Sequence, residues 1–206
     1  MNIPTERQAI VLLKKFGCNE LIWYRNISVL EHSQIISKHC LRVARKIKNN
    51  GYRVNLDLVQ IGALLHDLAM PLIDKEITRC QHGFFAGKVL RKLGYPEIAK
   101  IAERHYGNGL SKEEIIENNL PLPKENFIPQ TIEEKIVNLV DRLSNPVALR
   151  EKKLIEEVKS PKTQWTRFQK MGNELTQMAK CNIEKLLYPQ RKFLSFHYLP
   201  GGTSKA

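Results

Sequence analysis

His39, the adjacent pair His66-Asp67, His82, His105 and Asp141 are the residues whose types and order could do chemistry in this 206-residue chain. Imidazole nitrogens mixed with carboxylate oxygens suit a first-row metal such as Fe, Mn, Co, Ni or Zn, whereas an all-oxygen set would favour Mg or Ca. The four cysteines (Cys18, Cys40, Cys80, Cys181) lie far apart with no C-x-x-C pair, so neither a zinc ribbon nor a disulfide framework is expected. Asp141 is flanked by Ile136, Leu139, Val140 and Leu143, which predicts a partly buried carboxylate in need of a partner. Taken singly, each residue has a plainer role: a lone His on an apolar helix face is commonly a hydrogen-bonded core residue. The order His, His-Asp, His, His, Asp, each on a separate helical segment, is what points to a shared cation. His32, seven residues and about two turns before His39, lies near the same face; it could line the pocket, but an end-of-helix surface role is the reading preferred. Cys40 is expected to point away from the metal, Glu103 to be a supporting or exposed residue rather than a base, and His197 to pack between Phe196 and Tyr198.

The elements that must position these side chains are helical throughout. Pro4-Thr5 precedes an amphipathic stretch ending at Gly17, and a helix with its apolar positions three and four apart runs from about Glu31 to Asn49, stopped by Asn49-Asn50-Gly51. Asn55 caps the next helix, which leads into His66-Asp67 and is broken by Pro71. Helices follow over 83–93 and from Tyr95-Pro96 to His105. Capping boxes open further helices at Ser111 and Thr131. The three prolines between 119 and 130 predict a loop, and Leu21-Ile22-Trp23-Tyr24 reads as a short helix or a loop. No strand is expected, and the fold class is all-α. The C-terminal section is helical with a break at Ser160-Pro161 and a mobile tail from Pro200.

The segments around His39 (Ile36 to Ala44), His66-Asp67 (Gly62 to Ala69) and Asp141 (Ile136 to Leu143) resemble the HD-domain metal-dependent phosphohydrolases. The resemblance covers roughly residues 30–145. It implies a helical bundle over residues 1–146 with a C-terminal helical extension over 147–206, and a metal held by His39, His66, Asp67 and Asp141. His82 and His105 stand where a binuclear subset of the family places the ligands of a second metal, with Asp67 bridging; one or two ions are therefore expected, Mg remaining compatible. Small archaeal HD proteins are the most similar group in wording. The resemblance implies hydrolysis of a phosphoester in a small phosphorylated metabolite or nucleotide, with Asp67 and His105 closest to the chemistry. Many relatives carry Lys or Arg three residues after the Asp of the pair; this chain has Met70, so Lys75, Arg79, Arg104 and Arg142 are the candidate phosphate-binding cations.

Charge adds a second reading. Of 33 basic residues against 21 acidic, 12 basic and 5 acidic fall after Pro146, a net of +7 of the total +12. That section could attract nucleic acid, which makes a nucleic-acid-binding or regulatory protein on an HD scaffold the alternative to an enzyme. The apolar positions Leu149, Leu154, Ile155, Val158, Trp165, Phe168, Met171, Leu175 and Met178 allow packing on the bundle or a homodimer. No apolar run approaches the ~18 residues of a membrane span, the N-terminus is polar within six residues, and a cytoplasmic location is the expectation.

Overall fold

A computed structural model describes residues 2–24, 26–144 and 161–190. Helices α1 (Glu6–Lys15), α2 (Val29–Asn49), α3 (Leu56–Leu65), α4 (His82–Lys92), α5 (Pro96–Arg104), α6 (Lys112–Glu117), α7 (Ile132–Ser144), α8 (Pro161–Ala179) and α9 (Ile183–Leu187) build it, with 3₁₀ turns at Met70–Leu72 and Arg79–Gln81. Several helices start at a side-chain cap. Thr5 with Gln8, and Ser111 with Glu114, form reciprocal capping boxes. Asn55 accepts the Leu58 N–H. The long helix α2 starts two residues earlier than its apolar pattern predicts, because Ser28 and Glu31 form a further capping box.

One expectation is corrected. Ile22–Tyr24 and Ile27–Ser28 form a short antiparallel ribbon, not a helix or loop. The reason is local: β-branched and aromatic residues favour an extended chain, and Asn26 takes the left-handed conformation (φ 61°) that the tight reversal needs. Apart from this ribbon and three isolated bridges, the regular elements of the described residues are helices, as the all-α fold class requires.

The main core runs through the bundle, with Ile36, Val43 and Ile47 of α2, Leu64 and Leu65 of α3, Leu90 of α4, Ile98 and Ile101 of α5, and Ile136, Leu139 and Val140 of α7 all essentially inaccessible, and Leu110, Ile115 and Phe127 form a smaller cluster. Helix α3 lies so close to α5 that a Cβ on Gly62 would collide with the Ile101 side chain. The connection between α2 and α3 sets an axial offset: Ser37 Oγ donates to the Gln60 carbonyl at 3.0 Å, so Gln60 stands level with Ser37.

Helix α8 packs against α2 and α7, and α9 against α2 and α8, burying Trp165, Phe168, Met171 and Leu175 of α8. Among the C-terminal cations, Arg167 pairs with Glu114 at 2.9 Å, while Lys170, Lys180 and Lys185 are exposed. Lys152, Lys153, Lys159, Arg191, Lys192 and the apolar positions at 149–158 lie outside the described residues, as do His197 and the tail, and no side-chain account extends to Lys162. Among the described residues no helix is long and apolar enough to cross a membrane.

Candidate metal centre

Five helix ends converge on one pocket. His32 stands in the first turn of α2. His66 closes α3, with Asp67 directly after it. His82 opens α4, His105 closes α5, and Asp141 lies in the last turn of α7. Asp67 is 5 % exposed and its two oxygens face different partners. Oδ2 lies 3.3 Å from His66 Nε2 and 3.7 Å from His32 Nε2. Oδ1 lies 3.1 Å from His82 Nε2 and 3.2 Å from His105 Nε2. Asp141 Oδ1 joins the first side, 3.1 Å from His32 Nε2 and 3.7 Å from His66 Nε2. The result is two donor groups sharing one carboxylate: His32, His66 and Asp67, then Asp67, His82 and His105.

Ring orientation follows from helix geometry. The Nδ1 of His66, His82 and His105 each faces the carbonyl three residues back, of Ala63 at 2.7 Å, Arg79 at 2.5 Å and Ala102 at 2.6 Å. A carbonyl only accepts, so Nδ1 carries the proton and the lone pair sits on Nε2, the atom aimed into the centre. His82 Nε2 and His105 Nε2 face each other at 2.9 Å. His66 Nε2 is buried and, despite its closeness to Asp67, has no hydrogen-bond geometry. Inward lone pairs crowded around a carboxylate repel one another unless a proton or a metal cation lies between them. The donor set therefore fits divalent transition-metal ions.

The charges agree with this crowding. Burial by itself would raise Asp67, but His66, His105 and His82 hold its carboxyl well below the usual range. Asp141 is likewise desolvated yet depressed, through His32 and His66. Burial would lower His66, and the two carboxylates outweigh it and push its pKa well up. His105 remains lowered, chiefly by burial.

Glycine placement supports the second donor group. A Cβ on Gly83 would strike the Ala102 carbonyl, the group that orients His105, so only glycine lets α4 and α5 bring His82 and His105 together. Asn138 of α7 is fully buried and donates to the carbonyls of Arg104 and His105 at 3.1 and 2.9 Å, tying the end of α5 in place.

His66, Asp67, His82, His105 and Asp141 thus meet, and His39 does not. His39 Nδ1 lies 3.2 Å from the Tyr188 hydroxyl with the two rings edge to face, and the position expected for His39 is taken by His32. The hairpin offset is the cause. Six residues beyond Gln60 is His66, and six residues back from Ser37 is residue 31, so His32 comes level with His66 while His39 lies two turns, about 10 Å, away along the axis. No sequence signal fixes that offset. The serine capping box at Ser28 was a usable signal for the start of α2, though not for its level beside α3.

The pocket above the donors has a volume of about 290 Å³ and is lined by Met70, Arg79, Tyr106, Gly107, Arg142 and Ser144 besides His32, Asp67, His82, His105 and Asp141. Of the four candidate cations, Arg79 and Arg142 reach it. Arg104 instead holds Glu134 with contacts of 2.8 and 2.9 Å, and Lys75 belongs to a separate exposed depression. Burial lowers Arg142 and the nearby charge of Arg79 adds to the effect, against Asp141 and Tyr106. Glu103 is tied to Arg91 at 2.5 Å, which leaves it a structural role.

Residues 29–145 match the sequence model of the HD domain. The chain belongs to the HD domain family. An uncharacterized protein of Methanocaldococcus jannaschii is 40% identical over 137 residues, covering 66% of this chain and 73% of that protein. Two enzymes described as tRNA (cytidine(56)-2'-O)-methyltransferase are also similar. The one from Thermoplasma volcanium is 30% identical over 142 residues, 68% of this chain and 37% of the enzyme. The one from Picrophilus torridus is 33% identical over 179 residues, 77% of this chain and 47% of the enzyme. This HD chain thus spans less than half the length of both methyltransferases. Among solved structures, the HD domain of the Listeria monocytogenes phosphodiesterase PgpH superposes with a TM-score of 0.46 at 19% identity, over 77% of this chain and 88% of that one. Its complex with cyclic-di-AMP gives 0.48 at 18%, over 89% and 99%.

Proposed function

We propose that this HD protein is a metal-dependent phosphohydrolase that cleaves a phosphoester in a small metabolite: a phosphodiester, a cyclic phosphate or a nucleotide phosphate. The observation that carries the proposal is the divided carboxylate of Asp67, with a pair of inward imidazole nitrogens on each side. His32, His66, Asp67 and Asp141 would hold one divalent ion, and Asp67, His82 and His105 a second. Bound there, such ions supply an acidified water as nucleophile and offset charge on the phosphoryl oxygens.

The chain's own residues do the rest. Arg79 and Arg142 stand in the pocket wall and bind phosphoryl oxygens, which replaces the cation that Met70 does not supply. Like charges held near each other in a half-buried wall favour an anionic occupant. Asp67 fixes the two donor groups at one separation. Carbonyl-anchored Nδ1 protons keep the three rings from turning, so the donors are organised before the substrate arrives. Tyr106, edge to face with His82, closes one side of the pocket.

The test is elemental analysis of protein purified without chelators, followed by turnover of bis-p-nitrophenyl phosphate, p-nitrophenyl phosphate, cyclic nucleotides and dinucleoside polyphosphates with Mn, Fe(II), Co, Ni or Mg. About two metal equivalents and metal-dependent release of product are expected. Folded, metal-loaded protein that turns over none of these with any metal would overturn the proposal.

A further inference from the structure

Beyond its first turn, the solvent face of α2 carries charge of one sign only. From His32 to Leu56 the chain has six basic residues (Lys38, Arg42, Arg45, Lys46, Lys48, Arg53) and no acidic one. All six are exposed. At 100° per residue, Lys38, Arg42 and Arg45 fall within about 60° of one another, and Lys46 and Lys48 flank them, along about 15 Å of helix. Ile36, Cys40, Val43, Ala44 and Ile47 fill the opposite, buried face. Among the described residues none of the six forms an ion pair. Such a face has no internal compensation, in contrast to Lys100, Lys135 and Arg167, whose carboxylate partners are within 2.9 Å.

A second element extends the surface. Asn50, which ends α2, donates to the Met178 carbonyl at 3.0 Å. The turn two residues later presents the exposed Lys180, held with φ 49°, and α9, carrying exposed Lys185, packs on α2. At the same end stands Tyr52, 41 % exposed beside Arg53. An aromatic ring at the margin of a basic track can stack on an unpaired base. An anionic membrane surface would instead call for several apolar side chains interleaved with the cations, and along the stretch from Lys38 to Arg53 the exposed large hydrophobic residue is Tyr52.

We infer that the outer face of α2, with Lys180, Lys185 and Tyr52, is a docking surface for single-stranded nucleic acid. It lies on the side of α2 opposite its packed face and is independent of the metal centre. Contacts from four to six of these cations predict that log K falls with log[salt] at a slope of about −3 to −4 for a single strand.

The experiment is fluorescence anisotropy of the full chain with a labelled 20-nucleotide RNA of mixed sequence, the same sequence as DNA, and an RNA duplex, between 50 and 200 mM salt. Arg42→Glu/Arg45→Glu should weaken single-strand binding at least tenfold and flatten the salt slope. Lys112→Glu/Lys124→Glu, with the same charge change at exposed residues of α6 and of the loop after it, should change it less than twofold. Tyr52→Ala should weaken single strands about five- to a hundredfold while leaving the duplex within twofold. Equal binding of RNA and DNA supports recognition of backbone and stacking, and preference for RNA supports an added 2'-hydroxyl contact. No binding at 50 mM salt, equal loss in both double variants, or binding to phosphatidylserine vesicles without binding to RNA would overturn the inference. Thermal melting of each variant verifies that the fold is retained.

Discussion

Replacing His32 by alanine removes one of the two imidazoles on the Oδ2 side of Asp67 and the neighbour of Asp141. Metal content should fall by about one equivalent. Any turnover should fall by at least the ~10–100-fold that even supporting residues of metal sites contribute. His39→Ala should retain the metal, because His39 meets Tyr188 and not the donor cluster; loss of the Tyr188 contact costs on the order of 1 kcal/mol. Metal analysis of the two variants separates the roles, and loss of metal in His39→Ala alone would refute the placement. The composition of the donor set was legible in the sequence, because His66-Asp67, His82, His105 and Asp141 are all drawn into one cluster. The first histidine was not, because two histidines seven residues apart share a helix face and only the offset between α2 and α3 distinguishes them. The cysteines give another residue-scale outcome. Burial, with the Asp67 charge adding to it, pushes the Cys18 thiol up to about 12, and burial with Asp141 raises Cys40 well above its usual value. A raised thiol pKa means negligible thiolate below about pH 10, so these two stay unreactive at pH 8 while the fold holds. Cys80 is also buried, and Cys181 is half-buried. Ellman's reagent at pH 8 should label about one thiol quickly in native protein and all four after unfolding.

At the scale of elements, the loop that follows His105 is held from the C-terminal helix. Gln164 of α8 is fully buried; its Oε1 accepts the Asn108 N–H at 3.0 Å and its Nε2 donates to the Gly109 carbonyl and to Glu114 Oε1, both at 2.9 Å. Asn108 Nδ2 returns a bond to the Gln164 carbonyl at 2.9 Å, and Arg167 reaches the Gly109 carbonyl and Glu114. Tyr106 and Gly107, which line the pocket, lie in this loop. Gln164→Ala strands the buried Asn108 N–H, at about 1–3 kcal/mol, and takes one donor from the Gly109 carbonyl and one from Glu114, both of which keep Arg167. A loss of at least about 2 kcal/mol, or a melting temperature lower by about 5 °C, is the expected outcome, with faster hydrogen exchange of the amides of 106–110. An unchanged melting temperature with unchanged exchange would show that α8 does not restrain the loop. Here too the legible part is local. Capping boxes at Ser111 and Thr131 and the proline-rich loop over 119–130 could be read residue by residue, since the bonds involved span three or four positions. The bonds between Gln164 and Asn108 span 56 positions, and no periodicity encodes them. The ribbon at 22–28 was missed because three extended residues offer too short a run for an alternating pattern.

For the whole molecule, the unbalanced centre predicts a stability that depends on a bound cation. His66 is pushed up, and Asp67 and Asp141 are pushed down, so without metal the cluster relies on a proton shared among buried groups. The helix ends that carry these groups come from α2, α3, α4, α5 and α7, so whatever occupies the centre ties together most of the bundle. A ligand that binds the folded state alone stabilises it by RT ln(1 + [L]/Kd), about 2.7 kcal/mol at a hundred times Kd. For a chain of this length each kcal/mol moves the melting temperature by about 2–4 °C. Excess Mn or Co should therefore raise the melting temperature by about 5–10 °C over protein treated with EDTA. Ca, which prefers an all-oxygen set, should raise it far less. His32→Ala should lose most of the rise and His39→Ala should keep it, which links the global measurement to the residue that the hairpin offset selects. A melting temperature indifferent to every divalent transition metal would mean that the six converging side chains hold no ion, and the pocket between Arg79 and Arg142 would then need another explanation.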